Sequence, residues 1–362
     1  MPVAEPDQEQ ELARHRAAID ALDHEILARR NARAAHAQAI GKLKEGGSAY
    51  RPEREAQVLA KIAADNPGPL SNEAVTGVFR QIMSACLALE QKLKVAYLGP
   101  PGTFSHAAVS RHFGAFVDAE PEATIDEIFR AVESGRADYG VVPVENSTEG
   151  AVGRTLDLMC TTDLLVCAEV KLRIQQNLLA NAASLADVTK IYSHAQSLAQ
   201  CVHWLATHVP TVPRVAVSSN AEAARLAATE PGAAAIAGEN AAAFYGLPIL
   251  APHIEDEPNN TTRFWVIGRQ KIGPSGRDET ALVMSCPNRP GAVYQLLEPL
   301  ARHGVSMTRF ESRPARTGLW EYLFFVDLAG HRDDATLSAA LRELAQQAPF
   351  LKLLGSYPVA GD

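Results

Sequence analysis

Residues 7–44 contain no proline, and their first glycine is Gly41. Those are the two residue types that most readily interrupt a helix, so nothing breaks one over this stretch. Leu12, Ile19, Leu22, Ile26, Ile40 and Leu43 recur at helical spacing. The pattern predicts a single helix of more than ~30 residues, roughly 50 Å long at ~1.5 Å per residue. Glu45-Gly46-Gly47-Ser48 ends it. A second helix is expected from about Pro52 to Ala64, with proline in its first turn, before Asn66-Pro67-Gly68-Pro69 breaks it. Ser71 caps a third, with Glu73 in the first turn and Ala74 as the capped position, reaching about Lys92. Three helices in about ninety residues, one of them this long, cannot enclose a compact core. The long helix needs a second copy of the chain.

At Lys94 the texture changes. KVAYLG reads as a short strand running into a glycine turn, and from there to about residue 270 strands alternate with helices. That alternation predicts an α/β region with a mostly parallel sheet. A crossing near 172–178 divides it into two lobes with a cleft between them. Helices are expected over 105–113, 124–134, 150–160, 196–207 and 220–229. Gly273-Pro274-Ser275-Gly276 is a linker, and the remainder reads βαββαβ, a ferredoxin-like unit. With 362 residues the chain is long enough for such a division. The expected domains are 1–93, 94–272 and 278–362.

The formal net charge of −8 excludes a chain-wide basic footprint, so no nucleic-acid partner is expected and any cationic site must be local. No run approaches the ~20 apolar residues of a membrane span, and the acidic, polar opening MPVAEPDQEQ is not a secretion signal. No membrane partner is expected. Cys86, Cys160, Cys167, Cys201 and Cys286 are scattered and never form C-x-x-C, which argues against a disulfide framework or a zinc site. A reducing cytoplasm is the default location, and neither metal nor cofactor is expected.

Two constellations carry chemistry. On the long helix, Arg33 and Lys44 are eleven residues apart, within about 20° of one face and roughly 16 Å apart along the axis. Two long cationic side chains can converge on a small dianion across that gap. Arg16 lies about 25 Å from Arg33 on another face and cannot reach the same ligand from a straight helix. The Arg16 of an antiparallel partner helix could. By spacing alone such residues read first as a solvated face. The second constellation lies where strands of the α/β region end, the usual ligand position in open sheets. It comprises Gly99-Pro100-Pro101-Gly102-Thr103-Phe104-Ser105-His106, Val142-Pro143-Val144-Glu145-Asn146-Ser147, Ser193-His194-Ala195-Gln196 and Asn260-Thr261-Thr262-Arg263-Phe264. The first is not a Walker loop, because no Lys-Ser/Thr pair closes it. A glycine turn leading into hydroxyls at a helix N-terminus suits a carboxylate or phosphate. Taken singly, Ser105 also reads as a helix cap and His194 as a packed, hydrogen-bonded histidine.

Residues 10–92 resemble the all-helical chorismate mutase family through Arg16, Ile19-Asp20, Leu22-Asp23, Arg33, Gly41-Lys42, Lys44 and Tyr50-Arg51-Pro52-Glu53-Arg54-Glu55. The family is an intertwined dimer whose site borrows one arginine from the other chain. The resemblance implies that Arg16 of the partner, Arg33 and Arg54 frame the two substrate carboxylates, that Lys44 donates to the breaking ether oxygen, and that Glu55 accepts the ring hydroxyl. The reaction is a pericyclic rearrangement, which needs a held conformer and stabilised charge on the ether oxygen. Cys86 and Glu90, expected at i,i+4 on one face of the third helix, match ligands that are often serine and glutamine. Glu90 would need its proton to donate to that oxygen. Arg51 stands where some members carry an acid.

Residues 94–270 resemble the prephenate dehydratase family throughout, in GPPGTFS, VPVENS, SHAQ and NTTRF. The implied fold is a two-lobed, periplasmic-binding-protein-like α/β domain. Thr262 is implied as the group that hydrogen-bonds the leaving hydroxyl, with a proton relayed from water or Glu145. Arg263 would bind a carboxylate, and Thr103, Ser105, Asn146, Ser147, Ser193, Gln196 and Gln200 would orient the dianion, beside Phe264. Residues 278–362 resemble the ACT regulatory family, an α+β ferredoxin-like fold, in Asn288-Arg289-Pro290-Gly291-Ala292-Val293 and Glu311-Ser312-Arg313-Pro314. The resemblance implies a phenylalanine site at a domain dimer interface, with Gly291 admitting the ligand to a helix N-terminus.

The expected function is therefore chorismate to prephenate and prephenate to phenylpyruvate in phenylalanine biosynthesis, by a homodimer or higher oligomer that phenylalanine inhibits. The rivals are a non-catalytic amino-acid sensor, since two-lobed clefts and ACT units both bind amino acids, and a dehydratase that has lost its mutase activity. Thr262-Arg263-Phe264 speaks against a sensor, which needs no donor to a leaving group.

Overall fold

The computed structural model describes residues 6–43, 50–286, 289–314 and 322–360. Helix α1 runs Pro6–Leu43 without a break. Its apolar residues Leu12, Ile19, Leu22, Ile26, Leu27 and Ile40 are all about half exposed, so the apolar stripe is left uncovered among the described residues. Helices α2 (Pro52–Asp65) and α3 (Asn72–Ala88) form a hairpin. Ser71 caps α3 as expected, its hydroxyl accepting from the Ala74 N–H at 3.2 Å. The helix stops at Ala88, short of Lys92. Its last N–H groups turn back to the i−3 carbonyls, Leu89 to Cys86 and Glu90 to Leu87, a tightening typical of helix ends. Glu90 therefore lies beyond the helix rather than on one face with Cys86.

The first lobe of the α/β region contains β1 (Lys94–Leu98), α4 (Phe104–Phe113), β2 (Asp118–Glu122), α5 (Ile125–Glu133), β3 (Tyr139–Asn146), β4 (Gly150–Ala151), α6 (Gly153–Thr161) and β5 (Leu165–Arg173). The second contains β6 (Asn177–Ala180), β7 (Lys190–His194), α7 (Ala195–Ala199), α8 (Val202–His208), β8 (Arg214–Val217), α9 (Asn220–Thr229), β9 (Ala233–Ala237), α10 (Glu239–Tyr245) and β10 (Ile249–Ala251). The chain then re-enters the first lobe through β11 (Thr261–Gly268). Strand orders are β2-β1-β3-β11-β5, with β4 on β3, and β10-β6-β9-β7-β8.

The expected mostly parallel sheet is not found. β1 is parallel to β2 and β3, and β7 to β8 and β9, but β11 is antiparallel to β3 and β5, and β6 is antiparallel to β9 and β10. Parallel pairing needs a crossover connection. β11 returns from the other lobe without one, so its N-terminus meets the C-termini of β3 and β5 at the cleft. The single helix expected over 196–207 is broken at buried Cys201. The break frees the first N–H groups of α8, and the Asp256 carboxylate accepts from His203 and Trp204.

The C-terminal unit is the expected βαββαβ: β12 (Asp278–Ser285), α11 (Ala292–Arg302), β13 (Met307–Pro314), β14 (Tyr322–Ala329), α12 (Ala335–Gln347) and β15 (Phe350–Pro358), in order β13-β14-β12-β15. One sheet face packs on its helices through Leu282, Met284, Leu296, Val326 and Leu344. The other face does not meet water. Ala281, Val283, Phe325, Leu354 and Tyr357 join Ile128, Leu156, Met159 and Trp265 of the first lobe in one core. At Gly355 a Cβ would sit 2.2 Å from the Val166 carbonyl oxygen, so only glycine permits this approach of β15 to β5.

Candidate active sites

The cleft is built where β3 ends and β11 begins. Thr262 pairs with Asn146 and Arg263 with Glu145 across these strands. The Asn146 amide nitrogen donates to Thr262 Oγ1 and to Asn260 Oδ1, each at 2.9 Å. Its carbonyl oxygen accepts from the Thr148 and Glu149 N–H groups and the Thr148 hydroxyl, which fixes the amide orientation. Ser147 and Thr261 tie the two strand ends, each backbone N–H reaching an oxygen of the other at 2.9 Å. Because the amide nitrogen can only donate, Thr262 Oγ1 accepts there and keeps its own proton for another acceptor.

Across the cleft, Asn220 at the start of α9 holds the end of β7. Its Oδ1 accepts from the His194 N–H and lies 3.1 Å from Ser193 Oγ, and its Nδ2 donates to Ser197 at 2.8 Å. Gln176, at the lobe crossing, donates to Ser197 and to Gln200 Oε1. Gln196 is half-buried at the start of α7. In the first lobe Thr103 caps α4, accepting from His106 N–H and donating to Leu98 O, and Ser105 is buried beside it. His106 stacks on Tyr97, and its Nδ1 accepts from the Gly102 N–H at 3.1 Å. Burial holds its pKa below the usual value. Asn240 of the other lobe lies 3.3 Å from the same Nδ1. Asn260, Asn220, Gln176 and His106 escaped the sequence reading as site residues. Asn260 and His106 stood inside quoted segments, whereas the other two carried no local signal.

Several expected site residues face elsewhere. Side chains alternate along a strand, so with Thr262 at the cleft Arg263 points to the opposite face. There it pairs with Glu169, Asp327 and Glu279 and with the Tyr357 hydroxyl, at 11% side-chain exposure. Burial works against its charge, but Tyr357 and the three acids more than offset that and raise its pKa. It has no free edge for a substrate carboxylate. Glu145 turns the same way and pairs with Arg309 of β13 at 2.8 Å, so it is no proton relay into the cleft. Phe264 is 2% exposed, in the core with Val95, Tyr97 and Val266. Ser193 is fully buried, its hydroxyl between Asn220 and the Ile236 carbonyl, and cannot reach a cleft ligand.

The helical residues are not gathered into one pocket. Glu55 lies 3.7 Å from Arg80 Nε and lines a cavity of about 580 Å³ enclosed by α2, α3, α4, β5 and the chain end Pro358-Val359-Ala360. Burial pushes the Glu55 carboxyl up to about 7, with Arg80 opposing. In the same wall His112 bonds the Tyr50 hydroxyl at 2.7 Å, and burial, then Arg80, lowers its pKa to about 3. Neither Arg33 nor Glu90 lines this cavity. Arg16 and Arg54 are exposed, Cys86 is buried, and the Glu90 carboxylate lies against Gly41 of α1. Lys44 lies outside the described residues.

In the C-terminal unit Gly291 precedes α11 with φ of 77°, a left-handed conformation that glycine supplies without strain. Pro290, Val293, Ser312 and Pro314 are exposed, while Ala292 is buried in the domain core. Arg313 turns toward the first lobe. It reaches Asp157 at 3.3 Å and lies over Gly153, where a Cβ would come within 2.6 Å of the guanidinium. Glu311 shares its strand face. Asn288 lies outside the described residues.

Comparison with known proteins covers nearly the whole chain. Family models match in sequence order: chorismate mutase type II over residues 15–91, prephenate dehydratase over 95–272 and the ACT domain over 280–346. A bifunctional chorismate mutase/prephenate dehydratase of Neisseria gonorrhoeae is 56% identical, covering 96% of both chains. That of Pseudomonas aeruginosa is 51% identical, covering 98% of this chain and 99% of its own. The crystal structure of prephenate dehydratase from Arthrobacter aurescens in complex with L-Phe is 34% identical with TM-score 0.68, covering 74% of this chain and 90% of its own.

Proposed function

The chain belongs to the bifunctional chorismate mutase/prephenate dehydratase family, and on that premise we propose how its residues divide the work. It converts chorismate to prephenate and prephenate to phenylpyruvate, and phenylalanine regulates it through the ACT domain. We place the domains at 1–93, 94–272 and 278–362, a division that the sequence order of the three family matches supports.

The dehydratase reading rests on one observation: Asn146 donates to Thr262 Oγ1 and leaves the threonine proton free. In prephenate the carbon–carboxylate electron pair enters the ring as carbon dioxide departs, and the ring hydroxyl leaves. Thr262 donates its hydrogen bond to that oxygen as negative charge develops. Threonine is a weak acid, and Glu145 is engaged by Arg309, so the proton that completes water comes through solvent. Asn146, Ser147, Thr103, Ser105 and Gln196 surround the dianion, and Asn260, Gln176, Gln200 and Asn220 hold them. The mutase site combines Arg33, Lys44, Arg54, Glu55, Cys86 and Glu90 with Arg16 of a second chain. The exposed apolar stripe of α1 supports that dimer. Among the described residues no helix is long and apolar enough to cross a membrane. Five free cysteines fit a reducing cytoplasm.

Thr262→Ala should cut dehydratase kcat by about 10²–10³-fold, the usual cost of one transition-state donor. Its mutase rate should be unchanged. Assaying chorismate consumption and phenylpyruvate appearance on the same preparation decides it. Comparable losses in both activities would show a shared site.

A further inference from the structure

The strand pair that presents Asn146 and Thr262 to the cleft presents Glu145 and Arg263 to its other side, and the C-terminal sheet holds both of these charges. Arg263 is caged by Glu279, Asp327 and Tyr357 of that sheet together with Glu169. Glu145 meets Arg309 of β13. Four residues further along β13, Arg313 holds Asp157 and overlies Gly153 in α6. The segment from Glu145 to Asp157, with the cleft residues Asn146 and Ser147 inside it, is thus gripped near both ends by two arginines of one strand. That same strand carries Glu311-Ser312-Arg313-Pro314.

The Arg309 grip is unlike the others. Its side chain is 8% exposed, and none of its three guanidinium nitrogens makes an aligned hydrogen bond. Its partner Glu145 is far more open, at 36%. A buried guanidinium left without hydrogen bonds costs stability. Its charge is met by Asp327, its cross-strand neighbour on β14, and by the Glu145 carboxylate on another domain, and the second of these contacts depends on where β13 lies. Neighbouring side chains on a strand share one backbone, so displacing Glu145 displaces Asn146.

We propose that Arg309 is a positioning residue for the dehydratase reaction: acting through Glu145, it sets the end of β3, and so holds the Asn146 amide against the Thr262 hydroxyl from the regulatory sheet. This rests on the reading of Asn146 and Thr262 as the dehydratase site. It gives Glu145 a role that its orientation allows.

The test uses the full-length chain with Arg309→Met, Glu145→Gln and the double variant. Dehydratase kcat, KM for prephenate and phenylalanine inhibition are measured, with mutase rate as the control for folding. Arg309→Met keeps an unbranched apolar stem while removing the buried donors that make no hydrogen bond, which favours folding. Glu145→Gln, at a more open position, carries the test if Arg309→Met does not fold. Each single variant should lower kcat about tenfold with little change in KM, and should shift the half-inhibiting phenylalanine concentration by about tenfold, the common scale of coupling between sites. The double variant should be no worse than the poorer single one. Unchanged kcat and phenylalanine response in folded single variants would overturn the proposal. So would a Glu145→Gln loss that adds in full to that of Arg309→Met, because Glu145 would then act on substrate directly. Retained dehydratase activity in Thr262→Ala would instead remove the site reading on which the proposal stands.

Discussion

The cleft and the helical region make opposite use of the chain. At the cleft, pairing between β3 and β11 brings Asn146 within 2.9 Å of Thr262 although they are 116 residues apart in sequence. In the helical region Arg33, Glu55 and Glu90 lie closer together in sequence, yet the cavity that Glu55 lines includes neither Arg33 nor Glu90. The first site is finished by hydrogen bonds internal to one chain. The second lies beside an apolar stripe of α1 that the described residues leave about half exposed. Closeness in sequence says little about which site is complete; what matters is whether the supporting elements have buried their own apolar faces.

The sharpest way to break this contrast is to separate the contributions of two copies. Arg33→Ala and Arg16→Ala should each depress mutase activity by about 10²-fold or more, as loss of a clamp that holds the reacting conformer does. Their dehydratase rates should stay near wild type. Mixing the two variants under conditions of subunit exchange should restore mutase activity in the heterodimer, which retains one intact site. No recovery despite demonstrated exchange would mean that the site is complete within one chain.

A smaller effect tests the internal completeness of the cleft. Asn260→Ala removes one of the two acceptors of the Asn146 amide nitrogen. That should loosen Asn146 and lower dehydratase kcat by about tenfold, while leaving the mutase rate unchanged. An equal loss in both activities would point to general destabilisation.

A last effect, read in stability rather than in rate, lies in the helical region. Folding raises the Glu55 carboxyl to about 7 from an ordinary 4.5. The native chain thus binds this proton more tightly than the unfolded chain does. Stability from Glu55 is full below about 4.5, declines as pH rises through about 7 and stays lost above it. Glu55→Gln should therefore flatten the fall of stability across that window, by an amount of order 2–3 kcal/mol at most. Denaturant melts of both proteins at pH 5 and pH 8 would show it. The same pH dependence in both would mean that Glu55 is not desolvated in the assembled protein.

Much of this was legible in the residues themselves. The absence of proline in 7–44 foretold α1 as one unbroken helix. The strand-helix alternation and the linker foretold the lobes and the βαββαβ unit. The parallel sheet was misread because the direction of β11 depends on where the chain returns from, which local pattern does not carry. Arg263 and Glu145 were misread for a related reason. A motif gives residue identity, whereas the two-residue period of a strand sends its members to opposite faces. Ser193 was misread for the same reason: burial alternates along β7, and Ser193 lies on its buried face. Asn220 and Gln176 act through partners far away in sequence, so no spacing could reveal them.

The contact between Gly355 and the Val166 backbone bears on how such a chain can be altered over time. The C-terminal sheet and the first lobe share one core, so a substitution in either is judged by the other. A chain cut after Gly276 would leave Trp265, Leu156 and Met159 facing solvent, and would invite aggregation more readily than deregulation. Exchange of this regulator for a foreign one succeeds only if the newcomer brings a backbone bare enough to lie against β5. Control of this enzyme is inherited with its fold rather than attached to it.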